Sequence, residues 1–184
     1  MASSTPFLAL LRGINVGGKN LIPMRDLARC FEDLGFEDVR TYIQSGNVLF
    51  RGLGTRVEPH TQSIEVALSS RFGYSARVVL ISRVSYLKAI RSAHATWGHD
   101  DTMKHNALFT LPEVNPRQIL ASLPPLKAEL ETVTIGSRVL FWSASKSGLA
   151  RTAMMKLSKT ASYKLLTVRN NNTAVRLAEL LDEM

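Results

Sequence analysis

The feature of this sequence that most constrains its fold is the order of the predicted secondary-structure elements. In the first 82 residues, apolar runs typical of strands alternate with segments whose apolar residues recur at helical spacing. The strands lie at residues 7–12, 39–44, 48–50 and 76–81, and the helices at 23–34 and 59–72. Gly35 and Gly73 follow the two helices as stop signals. The resulting order, β-α-β-β-α-β, predicts a ferredoxin-like antiparallel sheet with both helices on one face.

The same order of elements returns in the second half of the chain. The strands of this half are predicted at residues 107–111, 165–168 and in a hairpin at 132–143, and the helices at 116–123 and 152–160. A last helix, capped by Asn171, Asn172 or Thr173, would turn Ala174, Leu177 and Leu181 inward. The sequence therefore predicts an α+β protein of two ferredoxin-like (β-α-β-β-α-β) halves with antiparallel sheets, plus a C-terminal helix.

The predicted division of the chain is a first domain at 1–82, a connecting helix and linker at 83–104, and a second, basic domain at 105–184. In the connecting helix, Ser82 is the expected cap, and Val84, Leu87 and Ile90 are the expected apolar face.

Three blocks of sequence resemble a known family. They are Leu10-Leu11-Arg12-Gly13-Ile14-Asn15-Val16-Gly17-Gly18-Lys19-Asn20 with Ile22-Pro23-Met24, Leu34-Gly35-Phe36 with the run from Val39 to Val48, and the tail from Arg169 to Thr173. Over nearly its whole length, the chain is similar to the domain of unknown function 1697 family, whose members are small bacterial cytosolic proteins. The resemblance implies kinship and fold but no activity. In the tail, the family usually has a tryptophan where this chain has Asn171.

Charge and composition narrow the classes of partner. Hydrophobic residues make up 45% of the chain, with one cysteine and no apolar run of membrane-spanning length, so we expect a cytoplasmic protein with no membrane partner. The net charge is +8, and no acidic residue stands between Glu131 and Glu179. That interval holds Arg138, Lys146, Arg151, Lys156, Lys159, Lys164, Arg169 and Arg176. Such a stretch favours nucleic acid or a phosphorylated molecule as partner, although a solvated basic face without a partner fits it as well.

The loop after the first strand is the main candidate site. Its glycines can expose backbone N–H groups beside positive charge, as an anion site requires. The spacing of Gly13, Gly18 and Lys19 comes close to the phosphate-cradling motif of nucleotide hydrolases, but Asn20 replaces the hydroxyl residue that binds magnesium there. A looser anion-binding nest and a plain glycine-rich turn remain as alternatives. The predicted ligand contacts of this loop are Arg12, Asn15, Gly17, Gly18, Lys19 and Asn20.

The hairpin turn and the tail supply the remaining predicted ligand contacts. They are Arg40, Tyr42, Gln44, Ser45 and Asn47 around the hairpin turn, and Arg169 and Asn172 in the tail. Whether the turn reaches the glycine-rich loop depends on strand lengths that the sequence does not fix, and simple turn chemistry also accounts for it.

No residue pattern identifies a reaction. The histidine spacings match no zinc signature, so we expect no metal and no cofactor, and Cys30 is interpreted as a core residue. Trp142 is either buried in the core or exposed for base stacking, with burial favoured. The sequence therefore favours a binding protein for a phosphate-bearing ligand or nucleic acid. The alternative is an enzyme acting on a small phosphorylated or anionic substrate.

Overall fold

The computed structural model describes residues 4–184, which divide into two compact units. The first unit consists of the chain up to Leu87 together with Leu177–Met184, and the second is Lys88–Arg176. Within the described chain, no helix has the length and apolar character needed to cross a bilayer.

Eight strands and six α-helices are found in this range. The strands are β1 Ser4–Leu11, β2 Glu37–Tyr42, β3 Asn47–Leu53, β4 Val78–Ser82, β5 Met103–Thr110, β6 Glu131–Gly136, β7 Val139–Ser145 and β8 Leu166–Asn170. The helices are α1 Met24–Glu32, α2 Glu58–Phe72, α3 Arg83–Arg91, α4 Pro116–Ala121, α5 Ala153–Leu157 and α6 Asn171–Asp182. Short 3-10 helices cover Leu149–Arg151 and Ala161–Leu165.

The first unit has a four-stranded antiparallel sheet in the order β2-β3-β1-β4. Alternate residues of β1, such as Phe7, are buried in one cluster with Leu27 and Phe31 of α1 and Ile64 of α2. Because side chains alternate across a strand, this places both helices on one face of the sheet. Burying each such side chain contributes roughly 1.5–3 kcal/mol. The predicted ferredoxin-like arrangement of this half is confirmed.

The second unit repeats that topology with the order β6-β7-β5-β8, again antiparallel. Its core joins Leu108 of β5, Ile119 of α4 and Leu157 of α5 around Trp142. Trp142 is fully buried, and its indole N–H donates to Glu131 Oε2 at 2.9 Å. The core position of Trp142 is therefore the correct alternative, and this side chain does not present a stacking surface.

Two details of the helices differ from the prediction. Of the predicted apolar face of α3, Val84 is 76% exposed, and Leu87 and Ile90 are half-buried. The buried residues of this helix are Tyr86 and Ala89. The helix carries two apolar faces at helical spacing, and the one with the larger aromatic ring is the one that is buried. Ser82 does cap this helix, accepting from the Ser85 amide at 3.4 Å. The cap of α6 is Asn170, one residue before the predicted set, since its Oδ1 accepts from the Thr173 amide at 2.8 Å.

Candidate anion-binding site

The loop between β1 and α1 folds as a miniature hairpin. Val16 and Lys19 form an isolated bridge, and the Lys19 amide donates to the Val16 carbonyl at 3.2 Å. The two residues between them, Gly17 and Gly18, have φ of 59° and 73°. Positive φ at both central positions is the requirement of the tight type I′ turn, and glycine meets it without steric cost. The loop thus differs from the phosphate-cradling motif, in which the glycines lead directly into a helix.

The two asparagines of this loop hold its backbone together. Asn15 accepts from the Ile22 amide at 2.8 Å and donates to the Ile22 carbonyl at 3.0 Å. Asn20 donates to the Gly13 carbonyl at 2.8 Å. These bonds use the carboxamide groups that the sequence pattern assigned to a ligand. Within the loop, both asparagines therefore act as braces.

The loop meets the turn between β2 and β3. Asn15 Nδ2 donates to the Gln44 carbonyl at 2.9 Å, and the Leu11 amide donates to the Gly46 carbonyl at 2.8 Å. A Cβ atom at Gly46 would lie 2.8 Å from side-chain atoms of both Leu11 and Ile14. Only a residue without a side chain allows this approach. The sequence left open whether loop and turn are neighbours, and the structure brings them together.

The predicted contact residues of the hairpin divide into structural and exposed ones. Asn47 is fully buried and donates to the Tyr42 carbonyl at 2.9 Å and to Ser45 Oγ at 3.0 Å. Arg40 forms a two-pronged ion pair with Asp38, at 2.8 and 3.0 Å. Gln44 is exposed at the tip of the turn. Of this group, Gln44 and the partly exposed Ser45 lie beside the glycine-rich loop.

Positive charge and backbone donors accumulate at this end of the first sheet. The amides of Gly17 and Gly18 make no hydrogen bond to any residue between 4 and 184. Lys19 is exposed and forms no ion pair with the described residues. The loop leads into α1, whose cap residue Pro23 offers no side-chain acceptor for the first helical amides. Arg12, half-buried, donates its amide to the Arg77 carbonyl at 3.0 Å.

Exposed apolar side chains share the same loop and turn. They are Val16, Leu21 and Ile43. Solvent-exposed apolar groups beside cations and free amides can bind a molecule that has both a charged and an apolar part.

The predicted contacts of the tail belong to the second unit. Arg169 is 6% exposed, and its Nη1 donates to Thr167 Oγ1 and to the Val168 carbonyl, both at 2.8 Å. Asn172 is exposed and accepts from Asn171 Nδ2 at 3.0 Å. The other seven cations of the acid-free interval are exposed. Arg169 is thus the one member of that interval whose burial removes it from the basic surface.

A groove in the second unit was not predicted from the sequence. It has a volume of about 590 Å³ and lies between the loop after β5 and the turn between β6 and β7. Exposed Arg117 and Arg138 are among its lining residues. It occupies the topological position that the loop and turn hold in the first unit. The repeated order of elements was the signal that could have located it.

Other titratable groups serve local structure. Cys30 lies in the core of the first unit, and burial raises the pKa of its thiol, although the nearby Arg71 partly opposes this. His105 is buried between Ser143 Oγ and the Asp100 carbonyl, at 2.8 and 3.0 Å. Bonds from the Thr102 hydroxyl and amide lower the pKa of Asp100. Across residues 4–184, no group of three or more His, Cys, Asp or Glu side chains is placed to hold a metal ion.

Comparison with known proteins decides the family. The family model described as "Protein of unknown function (DUF1697)" matches residues 5–141. The chain belongs to this family. A conserved bacterial protein, SP0830 from Streptococcus pneumoniae, has a similar solved structure, with 28% sequence identity and a TM-score of 0.87. The match covers 97% of this chain and 99% of that one. No match was found among curated proteins. The family relationship predicted from the three sequence blocks is confirmed, and it brings no activity with it.

Proposed function

We propose that this member of the family binds a phosphate-bearing ligand at the end of the first sheet, between the β1–α1 loop and the β2–β3 turn. The observation that carries the proposal is the bridge made by Asn15, which bonds to Ile22 within the loop and to Gln44 in the turn. A loop held in this way keeps its outward amides in a fixed orientation. Donors fixed in advance bind an anion without an ordering cost on association.

The contacts expected for the phosphate come from the tip of the loop. The Gly17 and Gly18 amides have no internal acceptor in the described chain, and the Lys19 ammonium lies next to them in sequence. Backbone donors and a cation together favour a doubly charged oxyanion. The exposed Val16, Leu21 and Ile43 would contact the apolar part of an organic phosphate.

Asp26 sets a limit on the affinity for the anion. It lies in the first turn of α1, where its carboxylate already complements the positive end of the helix. A bound phosphate close to that end would meet repulsion from this carboxylate. The site is therefore expected to favour a ligand held by the loop amides and Lys19 over one centred on the helix.

Calorimetric titration with inorganic phosphate and nucleoside monophosphates tests the proposal. Lys19→Ala should weaken binding about tenfold, since a charge-assisted hydrogen bond contributes roughly 1.5–3 kcal/mol when fully formed and less when exposed. Arg56→Ala is the matched control, because Arg56 is exposed beyond the opposite end of β3. Equal affinities for both variants would remove Lys19 from the site. Absence of heat with every anion would refute the proposal.

A second candidate function, nucleic-acid binding, rests on the second unit. Glu131, which opens the acid-free interval, is 2% exposed and accepts from the Trp142 indole and the Ala153 amide, so it forms no ion pair with the exposed cations among the described residues. Replacing Lys156, Lys159 and Lys164 by glutamine should reduce the slope of log affinity against log salt by roughly 0.7–0.9 for every phosphate group that these lysines neutralise. Fluorescence anisotropy with a labelled single-stranded oligonucleotide, measured at several salt concentrations, gives that slope. An unchanged slope would exclude these lysines as phosphate contacts.

The enzyme alternative, action on a small phosphorylated or anionic substrate, stays a prediction. A thermal-shift screen of phosphorylated metabolites followed by product analysis would test it, since binding to the native state alone raises the melting temperature.

A further inference from the structure

A separate cavity of about 260 Å³ lies in the second unit, on the face of the sheet that α5 covers. Asn106 and Leu108 of β5 line it from the sheet, and Met154 and Met155 of α5 line it from the helix. Tyr163 of the following 3-10 helix also contributes. Its volume is smaller than that of most drug-sized sites, and suits a single-ring molecule.

Asn106 is a polar group placed where the fold does not need one. It lies in the central strand β5, opposite Trp142 of β7 and Asn170 of β8, and it is 7% exposed. Its Nδ2 donates to Met154 Sδ at 3.3 Å, and a thioether is a weak acceptor. Its carboxamide oxygen accepts from no residue within 4–184.

In the protein without a ligand this oxygen has no protein donor, and because it is not one of the fully enclosed polar atoms, the cavity leaves it open to water. Buried polar side chains nearly always have a hydrogen-bond partner, which a ligand in the cavity could supply in place of water. A ligand that offers a donor beside an acceptor would satisfy both ends of the carboxamide at once. The neighbouring methionines are flexible and polarisable, and so can adapt to the faces of a flat ring.

Positive charge stands at the edge of the cavity. Lys104, two residues before Asn106 on the same face of β5, lines the cavity and is exposed. Its ammonium has no carboxylate partner in the part of the chain that the structure describes. No acidic residue lines the cavity. The charge complementarity therefore favours an anionic substituent on the ligand.

We propose that this cavity binds a monocyclic heterocycle that has adjacent N–H and C=O groups and carries a carboxylate or phosphate. The Asn106 carboxamide pairs with the N–H and C=O edge of the ring. Met154 and Met155 contact the ring on the side of α5, and Leu108 contacts it from the sheet. Lys104 neutralises the anionic group. This ligand class differs from a bare phosphate, and its site uses no residue of the loop or turn of the first unit.

Three related probes test this assignment on the full chain. Orotate has the ring edge and the carboxylate, uracil has the edge alone, and benzoate has a ring and a carboxylate without the edge. Calorimetry should show that orotate binds at least about tenfold more tightly than uracil or benzoate. Uracil lacks the charge-assisted bond to Lys104, and benzoate lacks the pair of hydrogen bonds to Asn106. Equal or undetectable binding of all three overturns the proposal.

Two variants then assign the contacts. Asn106→Leu should abolish the preference for orotate over benzoate while changing the melting temperature little, because the amide that it removes bonds within the protein only to a thioether. Lys104→Gln, at an exposed position that should not affect folding, should abolish the preference for orotate over uracil. Retained preferences in the two variants would contradict the roles of these residues. Arg56→Ala, at an exposed position outside both sites, serves as the control that leaves orotate binding intact. Titration of the parent protein with inorganic phosphate in parallel tells failure of this site from failure of the phosphate site.

Discussion

At the scale of single residues, small and amide side chains decide the shape of the candidate site. Asn15 connects the loop to the turn through its hydrogen bonds with Ile22 and Gln44. Gly46 lets the turn approach Leu11 and Ile14. Asn47 closes the turn from within the sheet. These contacts give the loop and the turn a common framework before any ligand is present.

Two glycines separate the effect of close packing from that of backbone conformation. Gly46 and Gly18 have nearly the same φ, 72° and 73°, but a Cβ at Gly18 would meet no atom within 4 Å. Gly18→Ala should therefore cost only about 1–2 kcal/mol for the left-handed backbone. Gly46→Ala should add about 1–3 kcal/mol of overpacking against Ile14 and Leu11. Urea unfolding measures both, and equal losses would contradict the close approach.

Tyr74 gives a prediction about alkaline pH. Burial raises the pKa of its phenol to about 12 from 10.0, with smaller contributions from Cys30 and Glu65. The phenol therefore stays neutral in the folded protein at a pH where it ionises in the unfolded chain. Its contribution to stability is complete below pH 10 and is lost as the pH rises towards 12.

Comparison of Tyr74→Phe with the parent protein tests this. At neutral pH the variant should be equally or more stable, because the buried hydroxyl has no hydrogen-bond partner among the described residues. Between pH 10 and 12 the variant should lose less stability than the parent. Parallel losses in chemical denaturation across that range would show that Tyr74 titrates normally.

At the scale of elements, one buried carboxylate connects β6, β7 and α5. Glu131 accepts from the Trp142 indole at 2.9 Å and from the Ala153 amide, at the start of α5, at 2.8 Å. In Glu131→Gln, the side-chain NH2 group faces one of these N–H donors in place of an oxygen. The substitution should therefore lower the free energy of unfolding by about 1–3 kcal/mol. Glu129→Gln, at an exposed position nearby, should change stability by less than about 0.5 kcal/mol. Denaturation followed by tryptophan fluorescence compares the two, and similar losses would contradict the bracing role.

The elements also show which parts of the structure sequence patterns can predict. The periodicity of α1 and the glycine stops predicted the β-α-β-β-α-β order, because burial and turn chemistry are local signals. The inward position of Val84 in α3 was predicted wrongly, since Val84 and Tyr86 both fit a helical repeat and tertiary packing decides between them. The burial of Arg169 could not be predicted either, because the charge of an arginine indicates a surface position. Its hydrogen-bond partner Thr167 lies on the same strand and gives no signal of burial. The contact of Asn15 with Gln44 depends on strand lengths, which no local pattern specifies.

At the scale of the whole molecule, the fold presents the same topology twice, with a different surface each time. In both units the loop after the first strand and the turn between the next two strands are at the same topological position. In the first unit these segments supply amides, Lys19 and exposed apolar groups. In the second they form a groove that includes Arg117 and Arg138. Residue choice at the loops, and not the order of elements, therefore determines what each half can bind.

The most direct test of the central proposal is a titration of the ¹⁵N-labelled protein with inorganic phosphate, in which NMR spectra monitor the backbone amide signals. We expect the Gly17 and Gly18 signals to shift saturably, because hydrogen bonds to an oxyanion displace amide proton resonances. The same titration of Lys19→Ala should need a higher phosphate concentration for half-saturation. Shifts that are absent at Gly17 and Gly18, or that grow linearly and alike across the surface, would contradict an anion site at this loop.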